Sequence, residues 1–194
     1  MRRLAVGLVG LALATSGVDA ASFVLDEHEA GRAVAVGQQS VTRETPFDAE
    51  WRVTNAVGEI ATVVTPFYRI ALAARHAAFK NEPLSPTERE KLLREHKDRL
   101  PVWVLLRGSR EDFARYYAPR LVVGDREGGE REIAPSFVQN ERTALKQDGG
   151  TFLARCVYGF PTKEITGTSR GTLVVRDAEG REVSRFALDL ARMR

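Results

Sequence analysis

TFLARCVYGF, residues 151–160, is the stretch of this sequence that decides the fold. Every second side chain in it is apolar, and in an extended chain these side chains point to one face: Phe152, Ala154, Cys156, Tyr158 and Phe160. The pattern predicts a strand over 151–159 with one face in a core. Cys156 is the only cysteine, so no intramolecular disulfide can form. We expect a buried thiol; the alternative, a nucleophile, needs an exposed and electropositive setting.

Further strand patterns lie on both sides of this stretch. Strands are predicted at 172–176 and 182–190, of which the second alternates in the same way, and the turn 177–180 between them predicts a hairpin. Upstream, residues 102–106 are almost continuously apolar, which predicts a central strand buried on both faces. Shorter strands are predicted at three further places, 51–57, 60–64 and 121–123.

Helix signals interrupt the strands. Thr65-Pro66 and Ser85-Pro86-Thr87-Glu88 are typical N-terminal caps, and they predict two helices that form a helical hairpin over about 65–98. A short helix is predicted at 26–37, where the alternative is a strand at 33–36. One or two helical turns are predicted after Ser109.

Residues 133–147 give no clear pattern. Phe137 and Val138 in this segment are expected to need cover from the rest of the protein. Taken together, the elements predict a mainly β fold, an antiparallel immunoglobulin-like two-sheet sandwich with an inserted helical hairpin and a short N-terminal helix. No linker divides the chain, so residues 21–194 are predicted to form a single domain.

The first twenty residues have the layout of an export signal. Arg2 and Arg3 precede an eleven-residue apolar stretch at 4–14, and small or aliphatic residues, Val18 and Ala20, suit cleavage after Ala20. Residues 1–20 are therefore predicted to be a cleaved signal peptide, and the protein to be exported, periplasmic or secreted. The alternative is an uncleaved anchor, but eleven residues fall short of the roughly 20 that span a bilayer. An integral membrane protein is not expected.

Composition and charge exclude several classes of protein. The sequence is 43% hydrophobic and 28% charged, as in globular proteins, and a formal net charge of +3 without a block of like charges does not indicate nucleic-acid binding. Arginine outnumbers lysine by 24 to 5, which suits recognition of carboxylates or phosphates. Genome composition explains such a bias equally well.

The sequence carries no recognisable catalytic or metal-binding motif. The three histidines, His28, His76 and His96, lack the local spacing of a zinc site, although His76 and His96 could meet if their helices pack antiparallel. No serine lies in a nucleophile elbow, and no glycine-rich phosphate loop is present. We therefore predict no catalytic residue, no metal and no cofactor.

Two polar surface segments are the candidates for binding. One lies within 113–120 and offers Tyr116, Tyr117 and Arg120, because adjacent tyrosines in one element cannot both face a core. The other lies within 137–143 and offers amide, carboxylate and guanidinium groups: Gln139, Asn140, Glu141 and Arg142. The alternatives are a tyrosine that covers a sheet edge and a loop fixed by its own hydrogen bonds.

Three functions are compatible with these observations. The first is a non-catalytic exported adaptor that binds another exported protein or an envelope component through these segments. The second is a hydrolase or metal-dependent enzyme whose site assembles only in the fold. The third is an assembly role in which an exposed sheet edge accepts a partner strand.

Overall fold

A computed structural model describes residues 20–124 and 129–194. These residues form two antiparallel β-sheets and a few helices, so the fold is mainly β as the sequence predicts. The predicted signal peptide lies, except for Ala20, outside the described residues. No helix within the described part of the chain is both long and apolar enough to cross a membrane.

The N-terminal third contains two helices that pack against each other. Helix α1 spans Glu27–Gln39 and starts with a capping box between Asp26 and Glu29, so the predicted helix is confirmed and the alternative strand is wrong. Strands β1 (Arg52–Thr54) and β2 (Ile60–Val63) follow, and then helix α2 (Pro66–Phe79). A Cβ on Gly37 of α1 would lie 2.1 Å from the Ala71 carbonyl oxygen of α2, so only glycine permits this close approach.

Helix α3 (Pro86–Glu95) begins at the predicted cap, since the Ser85 and Glu88 side chains complete a capping box. The remaining strands are β3 (Arg99–Gly108), β4 (Ala118–Gly124), β5 (Glu130–Ile133), β6 (Phe137–Gln139), β7 (Leu145–Lys146), β8 (Phe152–Pro161), β9 (Arg170–Arg176) and β10 (Glu182–Asp189). Three of them, β5 to β7, lie wholly or partly in the segment without a clear pattern.

The strands are divided between two sheets. Sheet A has the order β1-β2-β3-β8-β6, with β7 also paired to β8, and sheet B has the order β10-β9-β4-β5. The pairing of β9 with β10 confirms the predicted hairpin, with a register irregularity between Glu182 and Ser184. The longest pairing joins β3 to β8 along their whole lengths.

One hydrophobic cluster includes residues of both sheets and of α1 and α2. Its largest fully buried side chains include Trp51, Tyr158, Phe160 and Phe186. Four of the five predicted core residues of β8 are buried, Ala154, Cys156, Tyr158 and Phe160, while Phe152 is partly buried. The prediction of one core-facing side for this strand is confirmed.

Four local predictions are wrong. The segment after Ser109 forms turns and no regular helix, and the strand predicted over 51–57 is limited to β1 by a turn at Asn55. In β3, Trp103 and Leu105 are partly exposed, because they lie on the face of sheet A that points away from the core. Phe137 and Val138 do not receive the expected cover, since they are 38% and 43% exposed.

Candidate functional site

The two predicted binding segments lie next to each other. The Asn140 side-chain Nδ2 donates a hydrogen bond of 2.8 Å to the Tyr117 carbonyl oxygen, and the Ala144 N–H donates one of 2.7 Å to the Glu111 carbonyl oxygen. The buried Tyr158 hydroxyl donates to Asn140 Oδ1 at 3.1 Å. Both polar groups of the Asn140 side chain are thus engaged inside the protein, so Asn140 fixes the loop.

Glu141 also has a structural contact. Its Oε2 accepts a hydrogen bond of 2.5 Å from the Arg155 N–H, on the edge of β8 between the parts that pair with β6 and β7. The carboxylate therefore replaces a missing strand partner at this position. Gln139 and Arg142 are exposed, and neither side chain is held in this way.

The tyrosines behave differently from each other. Tyr116 is 66% exposed, with the Arg115 guanidinium 5.3 Å from its ring centre. Tyr117 is partly buried against Phe113, at a ring-centre distance of 5.8 Å, and this burial raises the pKa of its hydroxyl, with Glu59 adding to the shift. Arg120 donates to the Pro119 carbonyl oxygen at 2.9 Å and lies on β4 of sheet B. The seven predicted residues do not form one continuous site.

A groove on sheet A is the better candidate. It has a volume of about 380 Å³ and crosses strands β2, β3 and β8 on the face that points away from the core. Its apolar side chains are supplied mainly by Ile60, Trp103, Leu105 and Val157. Asp48, Arg52 and Arg155 also line it. An apolar cleft with a few charged groups is a common form of binding site.

Strand register explains how these side chains meet. Directly paired residues of antiparallel strands share a face, and one such row runs through Arg52, Thr62, Trp103, Val157 and Gln139. Gln139 is thus the predicted residue that lies beside the groove. The other residues of this row were not identified as candidates from the sequence. A local signal exists, because the alternation Arg155-Cys156-Val157 indicates a strand with one face toward the core and one toward solvent.

Aromatic side chains support one end of the groove. Trp103 makes an edge contact with Tyr68 of α2 at a ring-centre distance of 6.1 Å, and Tyr68 packs on Trp51 at 4.9 Å and on Phe47 at 5.7 Å. Burial raises the pKa of Tyr68 to about 12, and the negative charge of Asp48 contributes to the shift. Tyr68 therefore stays neutral and acts as packing support for Trp103.

The charged residues at the outward strand positions of this face are of one sign. Arginine occupies four outward positions of the sheet A strands, and no acidic residue occupies such a position: Arg52, Arg99, Arg107 and Arg155. Arg52 has an ion pair with Asp48, which precedes β1, at 3.6 Å. The Arg99 guanidinium lies 5.6 Å from the centre of the Phe137 ring. Within residues 20–124 and 129–194, the other three arginines form no ion pair.

Sheet B differs in its charges. Three of its four outward arginines are paired with carboxylates, Arg176 with Glu132 at 2.7 Å, Arg170 with Asp189 at 3.1 Å, and Arg185 with Glu182 at 2.7 Å, while Arg120 donates to a carbonyl oxygen. The bidentate contact with Arg176 lowers the pKa of Glu132, and the contact with Arg185 lowers the pKa of Glu182. A larger share of the outward arginines therefore has a carboxylate partner on sheet B than on sheet A.

A second cleft lies between α2 and α3. It has a volume of about 440 Å³ and is lined by cationic and acidic side chains in equal number, Arg69, Lys80 and Lys91 against Glu82, Glu88 and Glu95. Arg69 Nε is buried there without a hydrogen-bond partner among the described residues. His76 lines the cleft but His96 does not, because its Nδ1 donates to the Leu92 carbonyl oxygen at 3.0 Å.

The other buried polar groups serve the fold. Glu59 is 5% exposed and accepts hydrogen bonds from Ser184 Oγ at 2.5 Å, Asn55 Nδ2 at 2.9 Å and the Arg107 N–H at 2.9 Å. This carboxylate therefore links sheet A to β10 of sheet B. Across the described segments, no group of three or more His, Cys, Asp and Glu side chains is arranged to hold a metal ion.

Comparison with known proteins gives a partial likeness to a solved structure. No protein-family model matches this sequence, and no curated protein matches it. Among solved structures, the chain is similar to one described as "IgNAR antibody domain C1", with a TM-score of 0.31 and 14% sequence identity. The similarity covers 47% of this chain and 76% of that one.

Proposed function

We propose that this protein is an exported, non-catalytic binding or adaptor module. It recognises another exported protein or a component of the cell envelope through the outward face of sheet A. In this proposal residues 1–20 are a removed signal peptide, and residues 21–194 form one immunoglobulin-like sandwich with a helical hairpin inserted at about 65–98. The observation that carries the proposal is the apolar groove around Trp103.

The exposure of the groove supports a binding role. Monomeric proteins bury most large apolar side chains, and a contiguous apolar cleft left open in the surface often marks an interaction site. Trp103, Leu105 and Val157 lie side by side there and are each only partly buried. Tryptophan and arginine are also the residues that most often contribute strongly to binding energy.

The strands and aromatic side chains that hold the groove in place also favour a binding role. The floor lies on two long-range strand pairings, β2 with β3 and β3 with β8, and Trp103 is held against Tyr68, so the face is rigid before a partner arrives. A preformed surface loses little conformational entropy on association. The sandwich arrangement is supported by the one core cluster that includes residues of both sheets.

Site-specific crosslinking tests this proposal. A photoreactive amino acid is placed at Leu105, in the groove, or at Val122, on the outward face of sheet B, and the protein is expressed with its signal in its source cells. We expect a crosslinked partner in the exported fraction from position 105 and not from position 122. The partner is then purified, and its binding is measured to Leu105→Arg and to the matched control Val122→Arg.

The result expected is that Leu105→Arg abolishes binding of the purified partner while Val122→Arg leaves it unchanged. A cationic side chain in the groove removes apolar contact area and fills space. Equal crosslinking from both positions, or binding that survives Leu105→Arg, contradicts the proposal. Circular dichroism of both variants verifies that the fold is retained.

A further inference from the structure

We propose that the partner segment bound by the outward face of sheet A is an acidic polypeptide that carries apolar side chains. This inference rests on the proposed function and adds the chemistry of the partner. It is carried by the juxtaposition of an apolar groove with arginines whose guanidinium groups form no ion pair among the described residues, whereas most outward arginines of sheet B are ion-paired.

The outward strand positions of sheet A supply four guanidinium groups and no carboxylate. Among the described residues, Arg52 is the one of these four arginines that forms an ion pair, with the Asp48 carboxylate at 3.6 Å. In the described residues, Arg99, Arg107 and Arg155 have no ion pair. Like charges on one face repel each other, so a ligand with negative charge relieves this repulsion.

Sheet B differs from sheet A in the pairing of its arginines. Most arginines on the outward face of sheet B form ion pairs within the protein, for example Arg176 through its bidentate contact with Glu132. The abundance of arginine in this chain therefore does not by itself leave guanidinium groups unpaired. The guanidinium fork can hold a carboxylate through two parallel hydrogen bonds, which makes the side chains of aspartate and glutamate suitable partners.

The groove floor places apolar and charged side chains beside each other, since Ile60 pairs in register with Leu105 and Leu105 pairs with Arg155. A ligand that contacts both groups must present apolar and negative side chains from one face. Alternate residues of an extended polypeptide share a face, so a segment in which every second residue is by turns acidic and apolar meets this requirement.

The shape of the groove favours a polypeptide over a membrane as the partner. Side chains that insert into a bilayer must protrude, whereas Thr62 is 8% exposed and Trp103, Leu105 and Val157 are partly buried in the floor. The arginines at Arg52 and Arg155 are more exposed than this floor. The concave arrangement therefore fits a chain that lies in the groove better than a flat lipid surface.

Fluorescence titration tests the proposal with a defined probe. The probe is a synthetic peptide of about eight residues with the repeat Glu-Glu-Leu-Leu, so that each face of the extended peptide carries both glutamate and leucine. A peptide with lysine in place of each glutamate is its charge-inverted control. The protein has two tryptophans, of which Trp51 is 1% exposed and Trp103 is partly exposed, so a change in emission on binding reports on the groove.

We expect saturable binding of the acidic peptide that weakens as salt is added, and none of the basic peptide. The variant Arg99→Glu/Arg155→Glu is expected to weaken the binding at least about tenfold. The matched control Arg120→Glu/Arg185→Glu, on the outward face of sheet B, is expected to leave it unchanged. Vesicles of anionic lipid are expected not to compete with the peptide.

Each other outcome overturns this inference. Equal binding of both peptides, lost in Leu105→Arg, means that the groove binds without regard to charge; the proposed function then holds and the acidic partner does not. Binding of vesicles without binding of the peptide replaces the polypeptide by a membrane. No binding of either peptide, together with no crosslink from position 105, contradicts both proposals.

Discussion

The only thiol of the protein lies in its core. Cys156 is 1% exposed on the inner side of β8, and burial raises the pKa of its thiol. Hydrogen bonds of the thiol with the Glu141 backbone and the Tyr158 side chain act against this shift of the pKa. The thiol is therefore an apolar space filler, in agreement with the alternation of side chains in residues 151–160.

We expect Cys156→Ser to lower the free energy of unfolding by about 1–2 kcal/mol, because the hydroxyl is costlier to bury than the thiol. Denaturant titration measures this change, with Cys156→Ala as the control that lacks a polar group. Maleimide is expected to label the thiol slowly in the native protein and rapidly in denaturant. Rapid labelling of the native protein contradicts the assignment.

The Glu59 carboxylate makes more polar contacts inside the protein than the Cys156 thiol does. Its carboxylate accepts from three donors, and its contact with Ser184 joins residues that are 125 positions apart. The sequence identifies Glu59 only as the end of a turn, because a contact over such a distance leaves no local pattern. It could not be predicted before the sheets were placed.

We expect Glu59→Ala to lower the free energy of unfolding by about 2–4 kcal/mol, because the buried Ser184 hydroxyl and the partly buried Asn55 amide and Arg107 N–H lose this acceptor. Glu59→Gln keeps one acceptor oxygen and is expected to have an intermediate effect. Chemical denaturation gives both values, and Glu82→Ala, at an exposed carboxylate, is the control. A loss of less than about 0.5 kcal/mol for Glu59→Ala disproves the assigned role.

Elements with local signals were predictable. The caps at Asp26, Thr65 and Ser85 place the starts of all three α-helices of the described segments, since a cap is an interaction within four residues. The failures have a tertiary origin. Residues 102–106 are apolar on both faces, yet which face is left uncovered depends on where the second sheet packs. The edges at 137–139 and 145–146 are strands only because β8 is available to pair with them.

Helix α3 packs more loosely than α2, since none of its residues is fully buried. It ends at His96, where partial burial lowers the pKa of the imidazole, an effect opposed by its hydrogen bond to Leu92. The folded state thus favours the neutral ring. As the pH falls through the ordinary value of 6.5, the unfolded chain takes up the proton first, and this stabilisation is lost until the folded pKa is passed.

We expect the free energy of unfolding of the protein to decrease between pH 7.5 and pH 5 by more than that of His96→Asn. The difference is expected to stay below about 1 kcal/mol, because a half-exposed group is screened by solvent. Denaturation curves at the two pH values measure it, and His76→Asn, at an exposed position of α2, is the control. A steeper pH dependence in His96→Asn than in the protein itself refutes the argument.

At the scale of the molecule, the candidate site was harder to predict than the fold. Its floor combines β2, β3 and β8, which are separated in sequence by up to about ninety residues, and its support comes from α2. Of the seven predicted residues, Gln139 lies on the same face, while Asn140 and Glu141 fix their loop. Composition shows an excess of arginine, but only the strand register shows which arginines share a face.

A long-range contact also connects Arg194 to the first third of the chain. Its Nη2 lies 2.6 Å from Glu50 Oε2, its guanidinium lies 5.1 Å from the Phe67 ring centre, and its carbonyl oxygen accepts from Trp51 Nε1 at 2.8 Å and from the Thr65 hydroxyl. These contacts join the segment after β10 to the residues just before β1 and to the start of α2, which lie far from it in the sequence.

We expect Arg194→Met to lower the free energy of unfolding by about 1–3 kcal/mol, because Glu50 loses a partly buried partner. The matched control is Arg192→Met, since the Arg192 side chain is 81% exposed and pairs with Asp189 at 3.4 Å. The control is expected to differ from the unchanged protein by less than about 0.5 kcal/mol. Thermal unfolding compares the two variants, and equal effects argue against a role for the Glu50 contact.

More of the outward arginines form ion pairs on sheet B than on sheet A, so positive charge is distributed unevenly over the molecule. A formal charge of +3 describes a weakly basic protein, but the unpaired guanidinium groups of sheet A concentrate positive potential on one side. Against a planar negative support, such as a cation-exchange matrix, the protein will orient with that side inward. Its retention will then exceed that of a protein with the same charge spread evenly, and raising the ionic strength will release it as the field is screened.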